Sequence, residues 1–212
     1  MRLVISCVLE YGSAGDVVLI PLSIKNKARN ALSPLAAGLA SGRVSPNLIT
    51  VLSLIPAVVA GVLFASGTVR LGGIFLGISS LFDTIDGLVA KLANKKTRFG
   101  ALLDSTVDRY VEIAIFIGLG VLFRETLSLY GVMLALGGSV MVSYVKARAE
   151  GLGASCEVGM LQRPERLVIL FLGAILGTAY LRWAIWIVAV LANVTALQRL
   201  FKMRQSMSMP ER

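Results

Sequence analysis

Six stretches of this chain are long and apolar enough to cross a membrane, and no other feature restricts its fold as strongly. They fall near residues 47–66, 71–93, 100–123, 127–147, 166–181 and 183–201. A membrane helix needs roughly 20 predominantly apolar residues. Composition agrees, with 56% hydrophobic and only 16% charged residues and a mean hydropathy of +0.80; a soluble domain carries about 25% charge. The fold expected is an all-α integral membrane protein: six transmembrane helices preceded by an interfacial amphipathic helix.

That interfacial helix is read from residues 23–43, a basic and mildly amphipathic stretch suited to the membrane surface. The core domain is expected over 44–202, with a cytoplasmic tail at 203–212. Residues 1–22 carry no readable role, since the apolar run from Leu3 to Leu9 is short for a signal-peptide core. No linker divides the rest of the chain.

Six spans put both termini and the loops near 94–99 and 148–165 on one side. The other side holds only Arg70, Arg124 and Arg182 of the 21 Lys and Arg residues. Short loops with this bias follow the positive-inside rule, so both termini and that face are expected in the cytoplasm, in a multi-pass protein of the cell membrane. The net charge of +9 then belongs to basic residues crowding an anionic leaflet and its membrane lipids. It is spread over four separate regions, which argues against a nucleic-acid partner.

The chain has no histidine and two distant cysteines, Cys7 and Cys156, with no metal-ligand spacing. A catalytic base must therefore come from Asp, Glu, Lys or Tyr. A metal site must be oxygen-rich, which favours Mg²⁺ or Mn²⁺ over zinc.

Four of the five aspartates lie between positions 83 and 108. Asp83 and Asp86 are three apart and share a helical face, which Gly87 and Ala90 continue with almost no side chain. Gly100, Asp104 and Asp108 form a second stripe, and the short 92–99 turn lets the two stripes face each other. At about 1.5 Å of rise per residue, Asp83 lies roughly 12 Å below the basic loop that begins at Lys91. Carboxylates at that depth are costly and mark functional sites by default. Pairing with Lys91, Arg98 and Arg109 would be the purely structural alternative, but it leaves the glycine spacing without a reason.

The run resembles the signature of the CDP-alcohol phosphatidyltransferase family, Asp-x2-Asp-Gly-x2-Ala-Arg-x8-Gly-x3-Asp-x3-Asp. It matches at every fixed position except Lys91, where Arg is usual. The charge survives but the planar fork that grips phosphate does not. The resemblance implies that Asp83, Asp86, Asp104 and Asp108 hold Mg²⁺ or Mn²⁺, two ions, and that Asp108 is also the general base. It implies a CDP-lipid site of Asp83, Gly87, Lys91, Thr97 and Gly100, extended by Pro46, Asn47 and Thr50. Those last three read equally well as a helix start with proline in its first turn.

A second, basic cluster comprises Ser143, Lys146, Arg148, Arg166 and Arg199. Converging cations suit an acceptor that itself carries a phosphate. These segments look like the subfamily that makes phosphatidylinositol-phosphate or archaetidylinositol-phosphate. The implied donor is CDP-diacylglycerol or CDP-archaeol, the acceptor inositol 1-phosphate, the product CMP, and the assembly a homodimer. Glycerol 3-phosphate is the alternative acceptor. Intramembrane prenyltransferases lack the Asp-Gly-x2-Ala element, and an intramembrane cation transporter would predict an internal repeat with broken helices, which this sequence does not show.

Overall fold

The computed structural model describes residues 10–11, 17–18, 22–42, 44–95, 97–156 and 158–207. Eight helices carry almost all of it: α1 (Leu22–Ser41), α2 (Pro46–Leu52), α3 (Leu54–Ala65), α4 (Val69–Leu92), α5 (Arg98–Leu122), α6 (Ser128–Gly151), α7 (Arg163–Leu176) and α8 (Thr178–Met207). The all-α expectation has one small exception, an antiparallel pairing of Glu10–Tyr11 with Val17–Val18. The rest of the segment before Leu22 lies outside the described residues.

The six helices from α3 to α8 close a ring in which α3 packs on α5, α5 on α6, α6 on α8, α8 on α7, α7 on α4, and α4 back on α3. Phe64, Leu76, Ile115, Leu119, Leu170, Leu181 and Ile185 meet in its buried core. The outward faces are apolar too: Ile55, Val62, Ile117, Met133, Trp183 and Val190 are exposed. A water-soluble bundle reverses that pattern on its outer faces, so the ring is dressed for lipid. Small residues bring the helices close, as membrane helices favour. A Cβ at Gly61 would stand 2.5 Å from the carbonyl oxygen of Ala114, so α3 and α5 touch backbone to backbone.

Among the described residues, four helical stretches are long and apolar enough to span a bilayer: Pro46–Ala65, Val69–Leu92, Ser128–Gly151 and Thr178–Gln205. The first of them is interrupted at Ser53, between α2 and α3. Pro56 withholds the N–H that the Leu52 carbonyl would accept in an unbroken helix. Two hydroxyls bond to carbonyls beside the break, Ser53 Oγ donating to the Thr50 carbonyl at 2.6 Å and Ser79 Oγ to the Ser53 carbonyl at 2.9 Å.

The expected boundaries shift at the chain's end. The stretch read as 166–181 stops at Leu176, because Gly177, at φ +117°, turns the chain and Thr178 opens the last helix. α7 thus has 14 residues, about 21 Å, well below the ~30 Å apolar layer. α8 runs through residue 202, where a tail was expected to begin, to Met207.

α1 forms where the interfacial helix was expected. Its Ala36, with Leu32 and Leu39, packs on Ile49, Ile85 and Val89 of α2 and α4. Lys25 reaches across to the buried Glu165 of α7 at 2.7 Å. One end of the ring therefore gathers α1, the end of α4 and the starts of α5 and α7. At the opposite end Arg182 lies over the Phe123 ring, 5.9 Å from its centroid.

Candidate active site and metal centre

α4 and α5 are joined by a short turn in which Asn94 takes φ +51°. Thr97 then starts α5, its Oγ1 accepting from the Gly100 amide at 2.9 Å. Despite that short connection, the two helices pack on other elements rather than on each other: both on α2 and α3, α4 also on α7 and α1, α5 also on α6. Their acidic stripes are thus left to face across the gap. Asp83, Asp104 and Asp108 converge there, each offering a carboxylate oxygen within 4.8 Å of the others.

Asp86 stands apart from that trio. It is 5% exposed, and its Oδ2 is buried with no hydrogen-bond partner. Three convergent carboxylates plus an orphaned buried oxygen suit a hard divalent cation, whose oxygen ligands lie at about 2.0–2.1 Å for Mg²⁺. The residues present fit the metal that the aspartate spacing implies.

The donor-side positions are arranged around this trio. Pro46 and Thr50 are buried at the start of α2, with the Thr50 hydroxyl donating to the Pro46 carbonyl at 3.1 Å. Asn47 Oδ1 lies 3.2 Å from where a Gly100 Cβ would be, so Gly100 keeps that approach open. A Cβ on Gly87 would meet nothing within 4 Å; the backbone there faces open space. Lys91 and Thr97 are exposed at the rim.

The acceptor-side residues behave differently. Arg166 is 1% exposed and donates to Glu112 Oε1 at 2.6 Å and to the Leu161 carbonyl at 3.4 Å. Arg199, also buried, donates to the carbonyls of Val158 and Val142 at 2.6 and 2.5 Å. Lys146 is half-exposed and 3.7 Å from Glu150, while Arg148 is exposed. Ser143 accepts from Arg109 and donates to the Ser139 carbonyl. The five do not form one open cationic pocket: two are buried among protein acceptors and two lie nearer the surface.

Arg163 and Glu112, which the sequence did not single out, link the two halves together with Arg109, which it did. Arg163 donates to Asp83 Oδ1 at 2.7 Å and to Asp108 Oδ1 at 2.8 Å. Arg109 lies 3.7 Å from Asp108 and 3.0 Å from Glu112. Glu112, 1% exposed, thus holds both Arg109 and Arg166. The ion-pair alternative weighed for the aspartates is partly realised, but through Arg163 and Arg109 rather than Lys91 or Arg98. Glu112 was findable, because it extends the 100–104–108 stripe by another four residues. Arg163 gave no such signal.

Comparison with known proteins agrees with this geometry. The family model for CDP-alcohol phosphatidyltransferase matches residues 43–196. A phosphatidylinositol phosphate synthase of Mycobacteroides abscessus is 35% identical over 184 residues, covering 82% of this chain and 84% of that protein. An archaetidylinositol phosphate synthase of Pyrococcus horikoshii is 31% identical over 189 residues, covering 88% and 97%. Among solved structures, the Mycobacterium tuberculosis phosphatidylinositol phosphate synthase with CDP-DAG bound superposes with a TM-score of 0.76 at 32% identity. It covers 85% of this chain and 96% of that one. The same enzyme in complex with manganese and citrate also gives 0.76.

Proposed function

The chain belongs to the CDP-alcohol phosphatidyltransferase family, and from that premise we propose that it transfers the phosphatidyl or archaetidyl group of a CDP-lipid to inositol 1-phosphate. The observation that carries this reading is the convergence of Asp83, Asp104 and Asp108 beside a linked set of arginines. Relatives of both lipid types match the chain, so the donor is CDP-diacylglycerol or CDP-archaeol.

In the proposed reaction the acceptor hydroxyl oxygen bonds to the lipid-bearing phosphorus of the CDP-lipid. The bond from that phosphorus to the CMP oxygen breaks, and the hydroxyl proton passes to the Asp108 carboxylate. A divalent ion held by Asp83, Asp86, Asp104 and Asp108 would supply charge neutralisation at the diphosphate. Gly87 and Gly100 leave room for the nucleotide against bare backbone. Lys91 and Thr97 border its diphosphate, and Pro46, Asn47 and Thr50 its cytidine side.

On the acceptor side, Lys146 is half-exposed and held, among the described residues, only by a 3.7 Å pair with Glu150, and Ser143 lies one turn from it. Arg166 and Arg199 shape the wall, with Arg148 at the rim. Glu112 positions Arg166 and Arg109 relative to Asp108. A phosphorylated acceptor is favoured because these groups are cationic or strong donors; an uncharged alcohol would need neither.

We also propose six crossings with both termini in the cytoplasm. Support comes from α5 and α7, which take places in the ring equal to those of the four long apolar stretches. The positive-inside bias sets the direction. Labelling of single cysteines placed at residues 96 and 125 in intact cells tests it, protection of 96 and labelling of 125 being expected. A homodimer is part of the proposal, and light scattering in detergent checks it.

The deciding assay offers inositol 1-phosphate and glycerol 3-phosphate in competition to the purified chain with CDP-lipid and Mn²⁺. Release of CMP with inositol 1-phosphate preferred is the expected outcome. Preference for glycerol 3-phosphate would overturn the acceptor, and no CMP release with either would overturn the reaction.

A further inference from the structure

Arg163 occupies an unusual position for a side chain at the start of a helix. Its guanidinium stands between α4 and α5, with Nη1 on Asp83 and Nη2 on Asp108, both members of the convergent carboxylate trio. Each amino group engages a different carboxylate, so this is a bridge across the cleft and not a two-pronged grip on one acid. The side chain is only 13% exposed, and its Nε is buried without a partner. The guanidinium is therefore drawn to the two acids at the expense of one unmet donor. Asp86 nearby keeps a buried, unpartnered oxygen. One unit of positive charge at this point leaves the acidic group short of cation.

The segment leading to Arg163 is tied down. The Leu161 amide donates to Thr195 Oγ1 at 3.1 Å, and the Val158 carbonyl accepts from Arg199 at 2.6 Å. The backbone of Arg163 is thus held against α8, and the part free to move is the side chain. Its two acceptor oxygens belong to carboxylates that a divalent ion needs as ligands.

We infer that Arg163 is the built-in counter-cation of the acidic cluster: its guanidinium bridges Asp83 and Asp108 when no metal is bound, and must give way when a divalent ion enters. This rests on the assignment of the aspartates as metal ligands, and not on the identity of the acceptor. Arg163 lets four intramembrane acids fold and insert without waiting for an ion, since a charge at such depth is tolerated when paired. It also sets the metal affinity, because the cluster binds only in the fraction of molecules whose guanidinium has left. If Arg163 holds the cluster nine-tenths of the time, the apparent dissociation constant is raised about tenfold.

The test uses the full chain in detergent, wild type against Arg163→Gln, with free Mn²⁺ followed by its electron paramagnetic resonance signal and thermal unfolding recorded with and without Mn²⁺. The variant is expected to bind Mn²⁺ about tenfold more tightly, to unfold at lower temperature without metal, and to gain more from metal than wild type does. If Arg163→Gln does not fold, Arg163→Lys replaces it. Lysine keeps the charge but lacks the fork needed to touch both acids at once, so its affinity should again exceed wild type. Equal or weaker Mn²⁺ binding in the folded variant overturns the inference, weaker binding meaning that Arg163 supports the ligands instead. Absence of Mn²⁺ binding in both proteins overturns it together with the metal assignment. Neither result bears on the acceptor, which the competition assay decides separately.

Discussion

The acidic and basic halves of the site are built on opposite principles. The aspartates of α4 and α5 face one another with too little positive charge between them: Arg163 of α7 bridges Asp83 and Asp108, and Arg109 lies 3.7 Å from Asp108. Two arginines of the basic half are buried against protein acceptors, Arg166 on Glu112 with only its Nε unpartnered, and Arg199 on two carbonyls. An under-neutralised cluster can exchange its counter-ion. A buried, hydrogen-bonded one is rigid, and in the proposed function recognition then falls to Lys146, nearer the surface. Reactivity and rigidity are thereby placed on adjoining helices, joined by the chain Asp108–Arg109–Glu112–Arg166.

The hardest blow to that contrast should fall on the acidic side. Asp108→Asn is expected to lower transfer by about 10²–10⁴-fold, the usual contribution of a general base, while CDP-lipid binding largely survives. Turnover within a few-fold of wild type, measured as CMP release, would show that Asp108 is not the base.

Next comes the link between the halves. Glu112→Gln removes the charge facing two arginines, one of them fully buried. Losing one partner of a buried pair costs about 3–5 kcal/mol. Thermal unfolding in detergent should show a large drop, and steady-state kinetics should show a raised acceptor KM with the CDP-lipid KM little changed. A stability loss with both KM values untouched would reduce Glu112 to a packing role.

Lys146→Ala should be milder and should separate recognition from folding. Lys146 and Glu150 are both largely exposed, and such a pair contributes at most about 0.5 kcal/mol. Unfolding should be unmoved while the acceptor KM rises about tenfold, in line with the loss of one charge-assisted hydrogen bond. An unchanged KM would return Lys146 to ordinary decoration of the inner face.

The smallest effect is expected at Gly87, with Gly61 as its contrast. Gly87→Ala meets open space, so folding should tolerate it and only the CDP-lipid KM should rise. Gly61→Ala must push α3 from α5 and should destabilise by about 1–3 kcal/mol. If both behave alike, Gly87 is a helix-packing residue and not a surface for the nucleotide.

Much of the acidic half was legible before any tertiary contact was known. Helical spacing fixes the angle at which each side chain leaves its axis, so Asp83, Asp104 and Asp108 could be placed on facing stripes from their numbers alone. Glu112 is legible in the same way, four residues beyond Asp108 on the same stripe. The basic half was not legible to this degree. Charge type and depth brought Arg166 and Arg199 to notice, but carbonyls and a carboxylate from other elements decided that they are buried against protein acceptors rather than open. The span boundaries near 181 failed for a local reason: Gly177 sits inside an apolar run, and hydropathy does not register a positive φ.

What the sequence determined by itself was the periodic and the compositional: apolar helices, a side bias in charge, and two acidic stripes with glycine beside them. These depend on covalent geometry and on transfer between water and lipid, which act residue by residue. Only the tertiary structure decided the order of helices round the ring, the gap between α4 and α5, and the entry of Arg163 into it. Those depend on which surfaces exclude one another when packed, and an arginine 80 residues from Asp83 finds it only after the ring has closed.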